Sequence, residues 1–306
     1  MLGMDAGQPD PATDTALPDR NLLMSLAFRL LGSTHDAEDV VQETYARWYA
    51  MPESARTEIT SPTAWLVKVA GRIGLDHLSS ARVRRERYPG EWLPEPLPDS
   101  AVWTSVLPSR LAEDPADRVA LDDSISMGML VMLESLTPAQ RVTFVLHDVF
   151  KVPFAEIATI VGRSTESCRA LAVAARRGIG STRRSEAHPL EYARVVKEFK
   201  RACRTGRLDC LAELLDPRVV SRADGGGRAR AALRPIHGAD RTARYLVGVF
   251  RRESHLAVTL ENAGRRPALV CRADGVVRGV VSLHVVRGRI TDVWLTLNPE
   301  KLASWP

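Results

Sequence analysis

A chain of 306 residues, 45% hydrophobic and 26% charged, is long enough for two or three domains and has the composition of ordinary globular protein. No apolar run approaches the ~20 residues of a membrane span, and no basic-then-apolar leader opens the chain. The net charge is only +5, but residues 68–87 hold six basic against two acidic residues, residues 163–184 six Arg against one Glu, and residues 89–123 between them eight acidic against two basic. Two basic patches around an acidic stretch suit two nucleic-acid contacts; solvated helix faces would give the same counts, so charge alone leaves both readings open. The four cysteines (Cys168, Cys203, Cys210, Cys271) form no CxxC pair or Cys/His cluster. A reduced, cytoplasmic setting without a metal therefore fits better than a metal site.

In chain order, residues 1–19 are polar, rich in Pro and Asp, and expected to be disordered. Residues 20–88 read as a helical domain. Residues 21–31 are apolar at a helical period and end at Gly32. Ser33 or Thr34 caps a second helix, whose stripe Ala37, Val40, Val41, Thr44, Tyr45 and Trp48 is core. Its other face presents Asp36, Glu38, Asp39, Gln42 and Glu43, an acidic surface suited to a protein partner with basic helices. Ser61 and Pro62 start a third helix with Trp65, Leu66, Val69, Ala70 and Ile73 on its apolar side. Lys68, Arg72, Arg82, Arg84, Arg85 and Arg87 supply its charge, with Asp76 placed to pair with Arg72 at i, i+4.

These residues resemble a family. Residues 36–44, Asp-Ala-Glu-Asp-Val-Val-Gln-Glu-Thr, are similar to the region 2.2 helix of bacterial sigma factors. Trp65, Leu66, Val69, Ala70, Arg72, Asp76 and Leu78 follow at the spacing of regions 2.3 and 2.4. The resemblance implies that Asp36, Asp39, Gln42 and Glu43 bind core RNA polymerase at its beta-prime clamp helices. It also implies that Lys68, Arg72, Arg82, Arg84 and Arg85 meet the minus-10 element of promoter DNA.

Residues 89–123 form an acidic linker whose prolines argue against regular structure. Its segment 92–97, Trp-Leu-Pro-Glu-Pro-Leu, is too apolar for a free tether and is expected to dock on another domain. Residues 124–186 read as a second helical domain. Residues 124–135 form a helix, and Thr137, Pro138 and Gln140 make a capping box with Pro at N1. Residues 153–161, a turn at Gly162 and Arg163, and a helix capped by Ser164 make a helix-turn-helix, with Ala158, Gly162 and Cys168 as its small residues. The first turns of its second helix enter the major groove in such motifs, so Arg163, Ser164, Thr165, Glu166, Ser167 and Arg169 are the candidate readers. Arg176, Arg177, Arg183 and Arg184 are candidates for phosphate. The run from Pro153 to Ala158 with Gly162, Arg163 and Ser164 resembles sigma region 4, which implies minus-35 recognition.

Residues 187–306 read as helices at 190–205, 208–215 and about 239–252. Strands follow at 256–260, 268–271, 276–286 and 290–297. Helices followed by a curved antiparallel sheet suggest an α+β cone, and the order resembles the SnoaL-like (nuclear-transport-factor-2-like) fold. No acid–base pair stands out there; His237 and His284 are pocket candidates, more often structural. Asp224, Gly225, Gly226, Gly227 and Arg228 form a flexible loop with a charge at each end, and Asn298, Pro299, Glu300, Lys301 and Leu302 follow the last strand. With Trp92, Leu93 and Pro94, these motifs look like signatures of extracytoplasmic-function (ECF) sigma factors with a fused SnoaL-like domain, the sigma-J type. Arg228 stands where that family usually has Lys, and Glu300 where it has Asp.

The expected architecture is thus multidomain: a region 2 helical bundle, a region 4 helix-turn-helix, both all-α, and an α+β SnoaL/NTF2-like cone. The resemblance implies a transcription initiation factor, not an enzyme and without a cofactor, whose cone regulates it in cis and leaves room for an unknown small-molecule ligand. A ligand-sensing repressor leaves residues 36–44 unexplained. A cyclase or hydrolase with a DNA-binding extension needs a polar catalytic pair inside the cone.

Overall fold

The computed structural model describes residues 20–103, 125–183 and 187–306. Residues 1–19, with the disorder expected there, lie outside the described residues, as do the linker beyond residue 103 and Arg184.

The first layer is helical. α1 (Arg20–Leu31) is buried on every side from Leu22 onward. Even its polar groups are inside: Arg29, 3% exposed, donates Nη1 to the Ser25 carbonyl at 2.8 Å and lies over the Phe150 ring. α2 (Thr34–Tyr49) is capped by Ser33, which accepts from the Asp36 N–H, and buries Ala37, Val40, Val41, Thr44 and Trp48. A short α3 (Glu53–Thr57), which the apolar pattern does not mark, leads to α4 (Pro62–Glu86). Trp48 and Trp65 meet edge-on at 5.2 Å and fix α2 against α4.

α5 (Met127–Glu134) and α6 (Pro138–Phe144) follow the linker, the latter opened by the capping box of Thr137 and Gln140. A π-turn (Val145–Val149), α7 (Phe154–Val161) and α8 (Thr165–Arg183) complete the second helical unit. Gly162 at φ +70° ends α7 in the left-handed region, where a side chain would be strained. Both helical units share one continuous core. Leu26, Leu30, Leu66 and Ile73 belong to the same cluster as Val142, Leu146, Ile157 and Ile160. Gly71 of α4 allows this approach, because a Cβ there would lie 3.2 Å from Leu146 Cδ1.

The C-terminal third contains α9 (Pro189–Thr205), α10 (Leu208–Leu214), β1 (Leu215–Asp224), β2 (Ile236–His237), α11 (Ala239–Arg252) and β3–β6 (Ala257–Ala263, Arg266–Ala273, Val276–Val286, Arg289–Thr296). The six strands form one sheet in the order β2-β1-β6-β5-β4-β3. One face buries Leu215, Leu269, Val281 and Leu295 against Val195, Phe199 and Leu246 of α9 and α11, which gives the α+β cone. The sheet is mixed, a correction to the antiparallel expectation, since β1 pairs β6 in parallel. Neither β1 nor β2 stands out in sequence. Pro217 interrupts β1, and the register shifts between Leu215 and Val220. Neither candidate histidine lines the cone: His237 is exposed on the two-residue β2, and the buried His284 faces away from it, beside Trp294 at 6.2 Å.

The linker clasp and the promoter- and polymerase-facing surfaces

The linker is extended, and Leu93, Pro94, Glu95, Pro96 and Leu97 are all buried. It is gripped from two sides. On the side of α1 and α2, the Glu95 N–H donates to the Gly32 carbonyl at 2.9 Å, and the Thr34 hydroxyl donates to Glu95 Oε2 at 2.6 Å. Burial raises the Glu95 carboxyl above its ordinary range, offset in part by the bonds from Thr34. Gly32 itself, at φ +68°, leaves room for Trp92 and Pro94. On the side of the sheet, the Gly264 N–H donates to the Leu97 carbonyl at 2.7 Å, and Trp305 Nε1 donates to the Pro96 carbonyl at 2.7 Å. Asn262 Nδ2 donates to Asp99 at 2.8 Å.

The centre of the grip is Asp224, the last residue of β1 and 0% exposed. Its carboxylate accepts from the Tyr88 hydroxyl at 2.6 Å, the Leu93 N–H at 2.9 Å, the Gly226 N–H at 3.1 Å and Lys301 Nζ at 2.7 Å. Lys301 also donates to the Leu93 carbonyl and lies 4.1 Å from the Trp92 ring centroid. Asn298 Nδ2 donates to the Tyr88 oxygen at 2.9 Å. A buried carboxylate and a buried ammonium are tolerable only with such partners. Burial, then the bond to Asp224, pushes the Tyr88 phenol up, so it remains a donor. The 225–227 loop carries the second half of the arrangement. Gly226 (φ +59°) presses on Asn298 so closely that a Cβ would overlap it, and Gly227 faces Pro89. At the surface, Arg228 pairs with Glu300 at 2.6 Å, both 63% exposed.

The three motifs 92–97, 224–228 and 298–302 are therefore in mutual contact. Asp224, read from sequence as a charge at a loop end, is instead the buried hub. Tyr88, Gly32, Thr34 and Trp305 were not singled out; no local pattern marks a Tyr at the end of a basic helix as the partner of a carboxylate 136 positions away.

On α2, Asp39 and Gln42 are exposed, while Asp36 and Glu43 are half-buried. Glu43 holds Arg47 at 2.5 Å. On α4, Lys68 is exposed. Arg72 Nη1 donates to the Ile160 carbonyl at the end of α7, 2.8 Å away, rather than to Asp76, because the second helical unit brings an unsatisfied helix-end carbonyl within reach. The side chains of Arg82, Arg84, Arg85 and Arg183 lie outside the described residues. On α8, Arg163, Ser164, Glu166 and Arg169 are exposed, and Thr165 and Ser167 half-buried. Ser164 Oγ is occupied as helix cap to the Ser167 N–H at 3.1 Å, Arg169 lies over the Phe154 ring, and Arg176 Nε donates to Asp148 at 2.7 Å. Arg72 and Arg163 line one small cleft, about 470 Å³, between α4 and α7. The two candidate DNA surfaces thus face each other across a space too small for a duplex.

Among the described residues no helix is long and apolar enough to cross a membrane, and no cluster of three or more His, Cys, Asp or Glu residues could hold a metal. All four thiols are free, and burial pushes those of Cys203 and Cys271 up, the latter to about 11.

Comparison with known proteins agrees with this geometry. Residues 18–84 match the Sigma-70 region 2 family, and residues 127–177 match Sigma-70, region 4. The chain is 37% identical over 298 residues to the probable ECF RNA polymerase sigma factor SigI of Mycobacterium tuberculosis, covering 96% of each. It is 36% identical to the ECF RNA polymerase sigma factor SigJ of the same organism, covering 94% of this chain and 92% of SigJ. The crystal structure of M. tuberculosis SigJ superposes with a TM-score of 0.70 at 32% identity, over 94% of this chain and 96% of that one. With both sigma regions matched and relatives of this identity aligned end to end, the chain belongs to the ECF RNA polymerase sigma factor family.

Proposed function

We propose that this protein binds core RNA polymerase and directs it to promoter DNA in the cytoplasm, and that its C-terminal domain holds it in a closed, promoter-incompetent state. Asp36, Asp39, Gln42 and Glu43 form the polymerase-facing surface. Lys68 and Arg72, with Arg82, Arg84 and Arg85, serve the minus-10 element; Arg163, Thr165, Glu166, Ser167 and Arg169 serve the minus-35 element. The observation that carries the regulatory half is the seating of the linker on Asp224 and Lys301 while Arg72 is engaged by the Ile160 carbonyl. A linker held by the sheet domain cannot extend, and DNA surfaces that face each other cannot take two separated promoter elements. Catalysis is no part of this reading: the inner wall of the cone, including Val258, Cys271, Val281 and Leu295, carries no carboxyl or imidazole.

The test is small-angle scattering with run-off transcription on the full-length protein and on a chain ending at His188. The full-length protein should scatter as one compact body and transcribe less than the truncated chain with the same core enzyme. Two extended halves in the full-length protein, with transcription indifferent to the truncation, overturn the reading.

A further inference from the structure

The cone encloses a cavity of about 850 Å³ that the clasp itself helps to wall. Its inside is apolar: Phe250, Val258, Cys271, Val281 and Leu295 come from α11 and four strands. Its rim is cationic, with Arg228, Arg230, Arg252 and Arg278 against Glu253 and Asp274. Leu302, Ala303 and Trp305 close one side. Those closing residues are continuous with the clasp: Trp305 holds the Pro96 carbonyl, Lys301 the Leu93 carbonyl, and Glu300 the rim residue Arg228.

We infer that this cavity is a regulatory site for an amphipathic anion, an apolar chain or ring system bearing one carboxylate or sulfonate, and that its occupancy tightens the closed state. Volume, apolar lining and a few polar groups at one end are what small-molecule sites have in common. An apolar body buried in the cone gains from leaving water, and an anionic head at the rim meets arginines suited to oxyanions. The direction of the effect follows from where the walls come from. The cavity already exists with the linker seated, so the ligand needs no expansion to enter. It adds contacts to Leu302 and Trp305, which are held in place by the seated linker. A ligand shifts a conformational equilibrium only through different affinities for its two states, and here the closed state offers the complete wall.

This inference rests on the closed state proposed above. The probe is decanoate, with decanol and decyltrimethylammonium as neutral and cationic controls, titrated calorimetrically into the full-length protein. Decanoate should bind one per chain, at least about tenfold tighter than decanol, since a charged contact at the rim is worth about that factor; the cation should not bind. Arg230→Glu with Arg278→Glu, both exposed positions, should weaken decanoate at least about tenfold while leaving decanol unchanged, and Val258→Trp should block both. Saturating decanoate should lower run-off transcription by the full-length protein and not by the charge-reversed variant. Absence of decanoate binding, or equal binding by the charge-reversed protein, overturns the site. Binding without an effect on transcription overturns the coupling. Truncation at His188 with no probe present tests the closed state separately, so its failure is distinguishable from failure of the ligand site.

Discussion

Replacing Tyr88 with Phe removes one oxygen atom from the clasp and leaves the ring. In the closed state that oxygen donates to the Asp224 carboxylate at 2.6 Å and accepts from Asn298 Nδ2 at 2.9 Å. A hydrogen bond to a charged group contributes about 1.5–3 kcal/mol, and a buried donor left without an acceptor costs about 1–3 kcal/mol. Asn298 is 2% exposed, so part of the second cost applies. Once the linker leaves, water can satisfy both groups, and the change therefore falls on the closed state. Taking about 2 kcal/mol as a conservative loss, the closed-to-open ratio drops about thirtyfold, at 1.36 kcal/mol per factor of ten. Where the closed form dominates, the apparent dissociation constant for core polymerase equals the intrinsic one divided by the open fraction. Tyr88→Phe should then bind core enzyme up to about thirtyfold more tightly, with a matching rise in run-off transcription at limiting sigma and a larger radius of gyration in scattering. Unchanged affinity and scattering in a variant with wild-type circular dichroism would show that the linker contact does not gate polymerase binding.

Asp39→Arg with Glu43→Arg should abolish co-purification with core enzyme and leave helical content unchanged, because neither residue belongs to the buried stripe of α2. If Arg169 reads a guanine, Arg169→Ala should cost about 1–3 kcal/mol at one base position of the upstream element; an equal loss on every sequence in a binding-site library would reassign it to phosphate. The Glu95 carboxyl is raised in the closed state, first by burial, and returns to its ordinary value in an open linker. Proton binding therefore favours closure: the closed form is most stable at pH below the ordinary Glu value and weakens as pH rises through the raised one. Scattering across acidic pH should show that opening, and Glu95→Gln should remove it.

The local rules read much of this molecule. Ser33 and Thr137 cap the helices they precede, and Gly162 ends α7 with positive φ. The α2 stripe is buried at the spacing its apolar residues have in sequence. These features depend on neighbours within a few positions, where pattern and propensity act. What stayed hidden depends on distant parts of the chain. Pairing with Asp76 is the obvious local fate for Arg72, yet Ile160, 88 positions on, takes it. A strand broken by Pro217 does not alternate, and its parallel partner β6 arrives only after the rest of the sheet is built. Asp224 belongs to a glycine-rich, polar stretch that reads as surface; it is buried because Tyr88, Leu93 and Lys301 converge on it.

The chemistry of that convergence bears on how the closed state can open. Leu93 and Leu97, 1% and 2% exposed, give the linker its adhesion, about 1.5–3 kcal/mol for each leucine removed from water. Asp224 and Lys301 add little net stability, since the cost of desolvating a buried ion pair offsets most of its attraction. What they add is registry. Only one alignment of the linker offers the Leu93 N–H to Asp224 and the Leu93 carbonyl to Lys301, so a slipped linker leaves buried charges short of partners. On opening, water takes over the Leu93 groups' role and the charges are hydrated again. A wholly apolar seat would hold the linker in several alignments and expose a greasy surface on release. The polar hub instead makes closure specific without making it deep, and a polymerase surface competing for α2 and α4 has only a few kcal/mol of linker adhesion and the shared helical core to displace.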